Sequence, residues 1–296
     1  MATVKKILVP VDFSEQSLIA LDQSYNLAKG YDAEITLLYV IEDDGGFLSK
    51  FFADDKSGEI KKNIQNQLDE LAAKVHKKSK VKIHTMIARG RVYEKVAEVA
   101  DMLNAVMIIM GCNGSKSKLK KRFIGSNALR IVRASKQPVI TIKGKLHRAG
   151  CENIVLPLDL TKETKEKVNK AIEFSKLFGG AAIRVVSVLL STDEFVINRL
   201  TRQLSQVKGH IEKAGIECSA EIIRSKKEEE TLSQSILGYA KKVDGDLLMI
   251  MTQQEVDFTK YFIGSSAQEI ILNSEIPVLS IVPSPKKDTT SSVKPY

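Results

Sequence analysis

Four short blocks recur in the same order in the two halves of the chain, and no other feature constrains the fold as tightly. Lys5-Lys6-Ile7-Leu8-Val9-Pro10-Val11-Asp12 returns as Glu152-Asn153-Ile154-Val155-Leu156-Pro157-Leu158-Asp159. Thr36-Leu37-Leu38-Tyr39-Val40 returns as Arg184-Val185-Val186-Ser187-Val188. Phe123-Ile124-Gly125-Ser126-Asn127-Ala128 returns as Phe262-Ile263-Gly264-Ser265-Ser266-Ala267, and Gln137-Pro138-Val139-Ile140-Thr141-Ile142 as Ile276-Pro277-Val278-Leu279-Ser280-Ile281. A chain of 296 residues accommodates two ordinary domains. The repeats predict one domain over 1–145 and a second over 150–283, joined by the short glycine-and-basic stretch from Gly144 to Gly150. Residues 284–296, rich in Pro, Ser, Thr and Lys, read as a disordered tail.

Periodicity sets the fold class. In the first half, Lys5 to Val11, Ile35 to Val40, Val81 to Ile87, Val106 to Met110 and Pro138 to Ile142 read as strands. Between them, Ser14 suits the N-cap of a helix through Leu27, with Leu18, Leu21, Tyr25 and Ala28 as its apolar positions. Glu59 to Lys77 carries Ile64, Leu68, Leu71 and Val75 on one helical face; Val92 to Leu103 and Asn127 to Ala134 complete the helices. Strands alternating with helices predict a parallel, doubly wound sheet, once per half.

The basic excess is confined to one half. Residues 1–149 hold 26 Lys and Arg against 16 Asp and Glu, whereas the remainder holds 19 against 20. A basic half attracts nucleotides, nucleic acid or acidic partners, and solvated lysines on helix faces account for much of the same charge. No aromatic platform or known motif supports nucleic-acid binding. No run of 18 apolar residues predicts a membrane span, and the first residues lack the features of a signal peptide. The cytoplasm is the expected location. Cys112, Cys151 and Cys218 have no metal or redox spacing, and the four histidines are scattered.

The densest chemistry lies after the fourth predicted strand. Met107-Ile108-Ile109-Met110-Gly111-Cys112-Asn113-Gly114 leads into a loop with Lys116, Lys118, Lys120, Lys121 and Arg122, followed by Gly125 and Ser126. Glycines allow close approach of backbone amides, helix N-termini favour anions, and five cations suit a polyphosphate. A glycine-punctuated surface turn with a solvated charge run is the other reading of the same residues.

Together, the Val-Pro-Val-Asp opening, the Leu-Tyr-Val strand end, the glycine loop and the closing Pro-Val-Ile strand resemble the universal stress protein family in its tandem form. The resemblance implies two Rossmann-like domains, each a five-stranded parallel sheet in the order 3-2-1-4-5 with helices on both faces. It also implies a nucleotide loop of the form Gly-x-x-Gly, nine residues, Gly-Ser/Thr. Gly111, Gly114, Gly125 and Ser126 follow it, with ten residues between Gly114 and Gly125. By the same resemblance Asp12 lies near the ribose and any metal, Val40 offers backbone groups to the adenine edge, and Pro10 shapes the strand end. Met110 and Asn127 complete the implied site. The implied cofactor is ATP, with Mg2+ as its companion ion, in the first domain alone.

The second half departs at the loop. Thr252-Gln253-Gln254-Glu255 aligns with Gly111 to Gly114, so both glycines are missing, while Asp159, Gly264 and Ser265 remain. This domain is expected to be structural or to bind another ligand. The expected function is a stress-response regulator that binds an adenine nucleotide; a partner-binding module without nucleotide and a slow ATPase are the alternatives. No catalytic base can be named, and no Gly-x4-Gly-Lys-Ser/Thr loop is present. Family members pair through the fifth-strand edge, which implies an intramolecular pseudo-dimer here, with homodimer formation as a further step. If the loop cations neutralise phosphates, reversing Lys120 and Lys121 to Glu weakens ATP binding more than adenosine binding in a calorimetric titration. Equal loss for both ligands would assign the lysines to folding the loop.

Overall fold

The computed structural model describes residues 4–42, 56–112, 124–144, 150–159, 164–189, 193–224, 231–252 and 264–282. In the first half β1 (Lys5–Pro10), α1 (Glu15–Tyr31), β2 (Ala33–Glu42), α2 (Lys56–Ser79), β3 (Ile83–Gly90), α3 (Val92–Met102), β4 (Met107–Gly111), α4 (Ile124–Ala134) and β5 (Val139–Ile142) alternate. The second half repeats the sequence as β6 (Asn153–Pro157), α5 (Thr164–Leu177), β7 (Ala182–Leu189), α6 (Glu194–Lys213), β8 (Cys218–Arg224), α7 (Leu232–Lys242), β9 (Leu247–Met251), α8 (Ser265–Asn273) and β10 (Val278–Ile281). The predicted tail, Gly114 and the basic loop fall outside the described residues.

All ten strands form one sheet, ordered β3-β2-β1-β4-β5-β10-β9-β6-β7-β8. Within each half the order is 3-2-1-4-5 and every pairing is parallel. The halves meet where β10 runs antiparallel to β5, with Leu279 opposite Ile140 and Val278 opposite Thr141.

The interior strands, such as β4 and β9, are apolar because both faces of the sheet are covered there, whereas the edge strands β3 and β8 carry polar residues such as His84 and Glu221. Ile7, Val9, Ile35 and Leu37 face α1 and α2, whereas Leu8 and Leu38 face α3 and α4; all six are fully buried. The same division holds in the second half, where α5 and α6 cover the first face and α7 and α8 the second. One continuous cluster on the first face joins the halves, and Tyr31 of α1 meets Phe174 of α5 edge-on at 6.3 Å. Gly30 sits at that crossing: a Cβ there would lie 3.2 Å from the Leu177 carbonyl oxygen.

Element ends and faces differ from the sequence-based expectations in instructive ways. The Ser14 hydroxyl caps α1 by accepting from the Ser17 amide, as its position predicts. The helix continues beyond Leu27 to Tyr31 and ends at Asp32, which adopts a left-handed conformation (φ 51°, ψ 53°). Its buried face is Ala20, Leu21, Ser24, Leu27 and Ala28, and Leu18 is 38% exposed. Leu21 and Ala28 are buried and Tyr25 packs on the core as predicted, so Leu18 alone of the four falls outside the packed stripe, where the small Ala20 and Ser24 let α1 lie close to the sheet. The face predicted for α2 holds, with Leu68 and Val75 buried and Ile64 and Leu71 packed against them.

Leu279 is fully buried at the seam between the halves. Its truncation to Ala should destabilise the protein by roughly 2–5 kcal/mol, read from urea unfolding. A loss below about 1 kcal/mol would mean that the seam tolerates a cavity and is loosely packed.

Candidate functional site

In a doubly wound sheet the loops leaving the central strands diverge, and a crevice opens beyond their carboxyl ends. Here β1 and β4 are those neighbours, with β2 and β5 on either side. A cleft of about 540 Å³ lies at this point, of the size that suits a nucleotide or other small ligand. Six of the residues singled out in the sequence, Pro10, Asp12, Val40, Met110, Gly111 and Asn127, line it. Gly125 and Ser126 fall within the first turn of α4, which begins at Ile124 rather than at Asn127.

The turn between β1 and α1 shapes the floor. Phe13 adopts positive φ (59°), a conformation that costs a side chain free energy, and its ring packs on Tyr39 with centroids 5.5 Å apart. This reversal brings Asp12 back over the helix start. The Ser14 amide donates to Asp12 Oδ1 at 3.0 Å, and the Asp12 amide donates to Ser17 Oγ at 3.3 Å. Burial on its own would raise the Asp12 carboxyl; the bonds from Ser14 and Ser17 outweigh it and hold the group below the ordinary carboxylate value. Asp12 is therefore ionised at neutral pH, and its stabilising contribution, complete above the ordinary carboxylate value, is lost as pH falls from there through the depressed one.

Ser14, Gln16, Ser17, Tyr39 and Glu42 also line the cleft; the sequence marks Ser14 as a helix cap and Tyr39 as part of a strand end, and none of the five as a site residue. The Ser-x-x-Ser spacing of a capped helix start could have pointed to the two serines; nothing marked Gln16. Its side-chain nitrogen donates to the Gly144 carbonyl at 3.3 Å, and its buried oxygen has no hydrogen-bond partner among the described residues. The described wall thus offers two carboxylates, hydroxyls and an amide, which suit the hydroxyls of a sugar. No Lys, His or Cys joins them among the described lining residues, and no group of three potential metal ligands occurs among the described residues. Cys112 follows Gly111 but is buried, and that burial pushes its thiol up, so it stays protonated at neutral pH.

Gly111 has a packing role as well. A Cβ at this position would stand 2.5 Å from both the carbonyl carbon and oxygen of Gln16, and 2.8 Å from the Ser17 nitrogen. The helix start that carries the floor of the cleft thus presses against the end of β4, and only glycine leaves room.

The second half has a matching cleft of about 500 Å³, lined by Pro157, Asp159, Val188 and Ser266 at the positions of Pro10, Asp12, Val40 and Asn127. Strand pairing corrects the alignment of the two loops. Ile7 pairs with Met107 and Ile154 with Leu247, while the Cys112 and Thr252 amides donate to the equivalent Ile142 and Ile281 carbonyls. Gly111 therefore corresponds to Met251, not Thr252, and by count Gly114 corresponds to Gln254. Both glycines remain absent from the second half, but Glu255 is not the residue in place of Gly114.

Gly111→Ala should destabilise the protein by about 1–3 kcal/mol through displacement of α1, measured by urea unfolding. An unchanged midpoint would show that α1 can withdraw without cost.

Among the described residues no helix is long and apolar enough to cross a membrane. The model of the universal stress protein family matches residues 3–143 and again 150–281. Universal stress protein MJ0531 of Methanocaldococcus jannaschii is 32% identical over 145 residues, 47% of this chain and 82% of that protein. A solved universal stress protein from Archaeoglobus fulgidus shares the fold across both halves, with a TM-score of 0.73 and 20% identity, covering 94% of this chain and 96% of its own. Another A. fulgidus universal stress protein, solved in complex with dAMP, is 26% identical and covers 44% of this chain and 96% of its own, with a TM-score of 0.36. The twofold family match, on a sheet that repeats its order in each half, establishes that this chain belongs to the universal stress protein family and carries its domain in tandem.

Proposed function

We propose that the protein is a stress-response regulator that binds ATP in the cleft of its first domain. The observation that carries this reading is the cleft at the β1–β4 switch point, which gathers an ionised Asp12, the end of β2 at Val40 and the end of β4 at Gly111. In this reading Asp12 accepts from the ribose hydroxyls and Val40 presents its backbone to the adenine edge. Pro10 and Met110 shape the walls beside the nucleoside. Gly125, Ser126 and Asn127, at the start of α4, hold phosphate oxygens with backbone amides and the Ser126 hydroxyl. Gly111 and Gly114 begin the loop whose lysines neutralise the phosphates. Because the described wall carries Asp12 and Glu42 and no cation, Mg2+ accompanies the triphosphate and reduces its repulsion from these carboxylates.

The second domain, 150–283, lacks both loop glycines and keeps its Asp159 and Gly264-Ser265 without binding nucleotide. The two domains act as an intramolecular pseudo-dimer in the cytoplasm, able to associate further into a homodimer. Any ATP hydrolysis is slow in this reading, which commits Asp12 to the ribose and assigns no residue to activate water.

The nucleotide content of freshly purified protein, measured by chromatography and mass spectrometry after denaturation, tests the proposal. One adenine nucleotide per chain is expected, lost in Gly114→Gln, which imports the second domain's residue. Two per chain would give the second domain a nucleotide as well. None, with no binding of added Mg-ATP, would leave the first cleft a structural or partner-binding feature.

A further inference from the structure

The duplicated clefts share a frame but not a lining. Where the first has Val11, Val92 and Gly111, the second has Leu158, Leu232 and Met251. The second also draws Val196 and Leu200 from α6, one helical turn apart, and Ile236 from α7 one turn beyond Leu232. In the described wall of the first cleft α2 contributes nothing. Ser187, 3% exposed, stands at the position of Tyr39, so the described lining of the second cleft has no ring there.

Charge changes too. Lys167 lines the second cleft and donates to the Pro157 carbonyl at 3.3 Å, at the position where the first domain has the buried Ala20. The described lining therefore holds one carboxylate, Asp159, and one ammonium, in place of the two carboxylates of the first cleft. Two aliphatic stripes leading from a cation at the floor suit a flexible alkyl chain with an anionic head. Aromatic side chains, on which a base would stack, are absent from the described lining.

We infer that the second cleft binds a medium-chain acyl amphiphile, its carboxylate or equivalent anionic head at Lys167 and its chain between α6 and α7. The inference does not depend on nucleotide binding by the first domain. It also gives the apolar substitutions a physical consequence: each methylene removed from water into this cleft should tighten binding about fourfold.

Calorimetric titration of the full chain with hexanoate, octanoate and decanoate, each below its micellar concentration, tests this. Affinity should rise about two-hundredfold from hexanoate to decanoate, four methylenes at that increment. Leu200→Asp and Val196→Asp should each weaken decanoate binding at least tenfold without moving the urea midpoint by more than the exposed control Arg199→Asp. Having two variants protects against one of them misfolding. Lys167→Met should reduce decanoate binding while sparing decanol. Saturating Mg-ATP should leave decanoate affinity unchanged, and decanoate should bind whether or not the first domain takes nucleotide. The inference is overturned by affinity independent of chain length, by no binding of decanoate, by binding that survives both α6 variants, or by displacement of decanoate with ATP.

Discussion

The antiparallel pairing of β5 with β10 is the constraint on which the rest of the molecule depends. A five-stranded open sheet leaves its last strand with a row of unpaired amides and carbonyls, which in isolation invites association with another chain. Here the two exposed rows satisfy each other, Leu279 against Ile140 and Ser280 against Val139. Hydrogen bonding alone would not hold the halves rigidly. The seam also buries Leu279 and Ile140, joins the cores of both domains on both faces, and sets α1 against α5 at Gly30 and Leu177. Lys143 adds a bond across the seam, donating to the Leu272 carbonyl at 2.8 Å.

That pairing dictates where the sites can be. Strands within a half are parallel and the halves are antiparallel, so the carboxyl ends of β1 and β4 point to one edge of the sheet and those of β6 and β9 to the other. The two clefts therefore open at opposite edges and cannot share one small ligand. Each can change its chemistry without touching the other, because the two linings share no described residue. Gly111 and Met251 show how this occurs. A tight approach of α1 requires glycine in the first domain, whereas Met251 at the equivalent position turns into an apolar wall.

Much of this was legible in the sequence because it rests on periodicity and repetition. Four matching blocks implied two copies of one alternating fold, and the apolar strands, flanked by capped helices, implied a sheet covered on both faces. The failures have physical causes. Leu18 was assigned to the buried face of α1 because it is large and apolar, but the packed stripe uses Ala20, Ser24 and Ala28, whose small size lets the helix approach the sheet. The two loops were aligned one residue out of register because the apolar runs before them look alike at either offset. The pairing of Met107 with Ile7 and of Leu247 with Ile154, and the hydrogen bonds of Cys112 and Thr252 to equivalent carbonyls, fix the match. Gln16 carries no sequence signature at all; it joins the cleft because α1 starts under the end of β4.

The sequence by itself determined the fold class, the duplication and the strand ends that carry Asp12, Val40 and Gly111. These follow from local patterns, the alternation of apolar runs, caps and glycines, that need no knowledge of distant contacts. The tertiary structure alone decided the joining of two sheets into one, the opposite facing of the clefts and the apolar lining of the second. Those depend on which residues far apart in the chain become neighbours, as Lys167 from α5 and Leu200 from α6 do around the end of β6. Burial against such distant partners is non-directional and writes no fixed spacing into the chain, so it becomes visible only when the chain is folded.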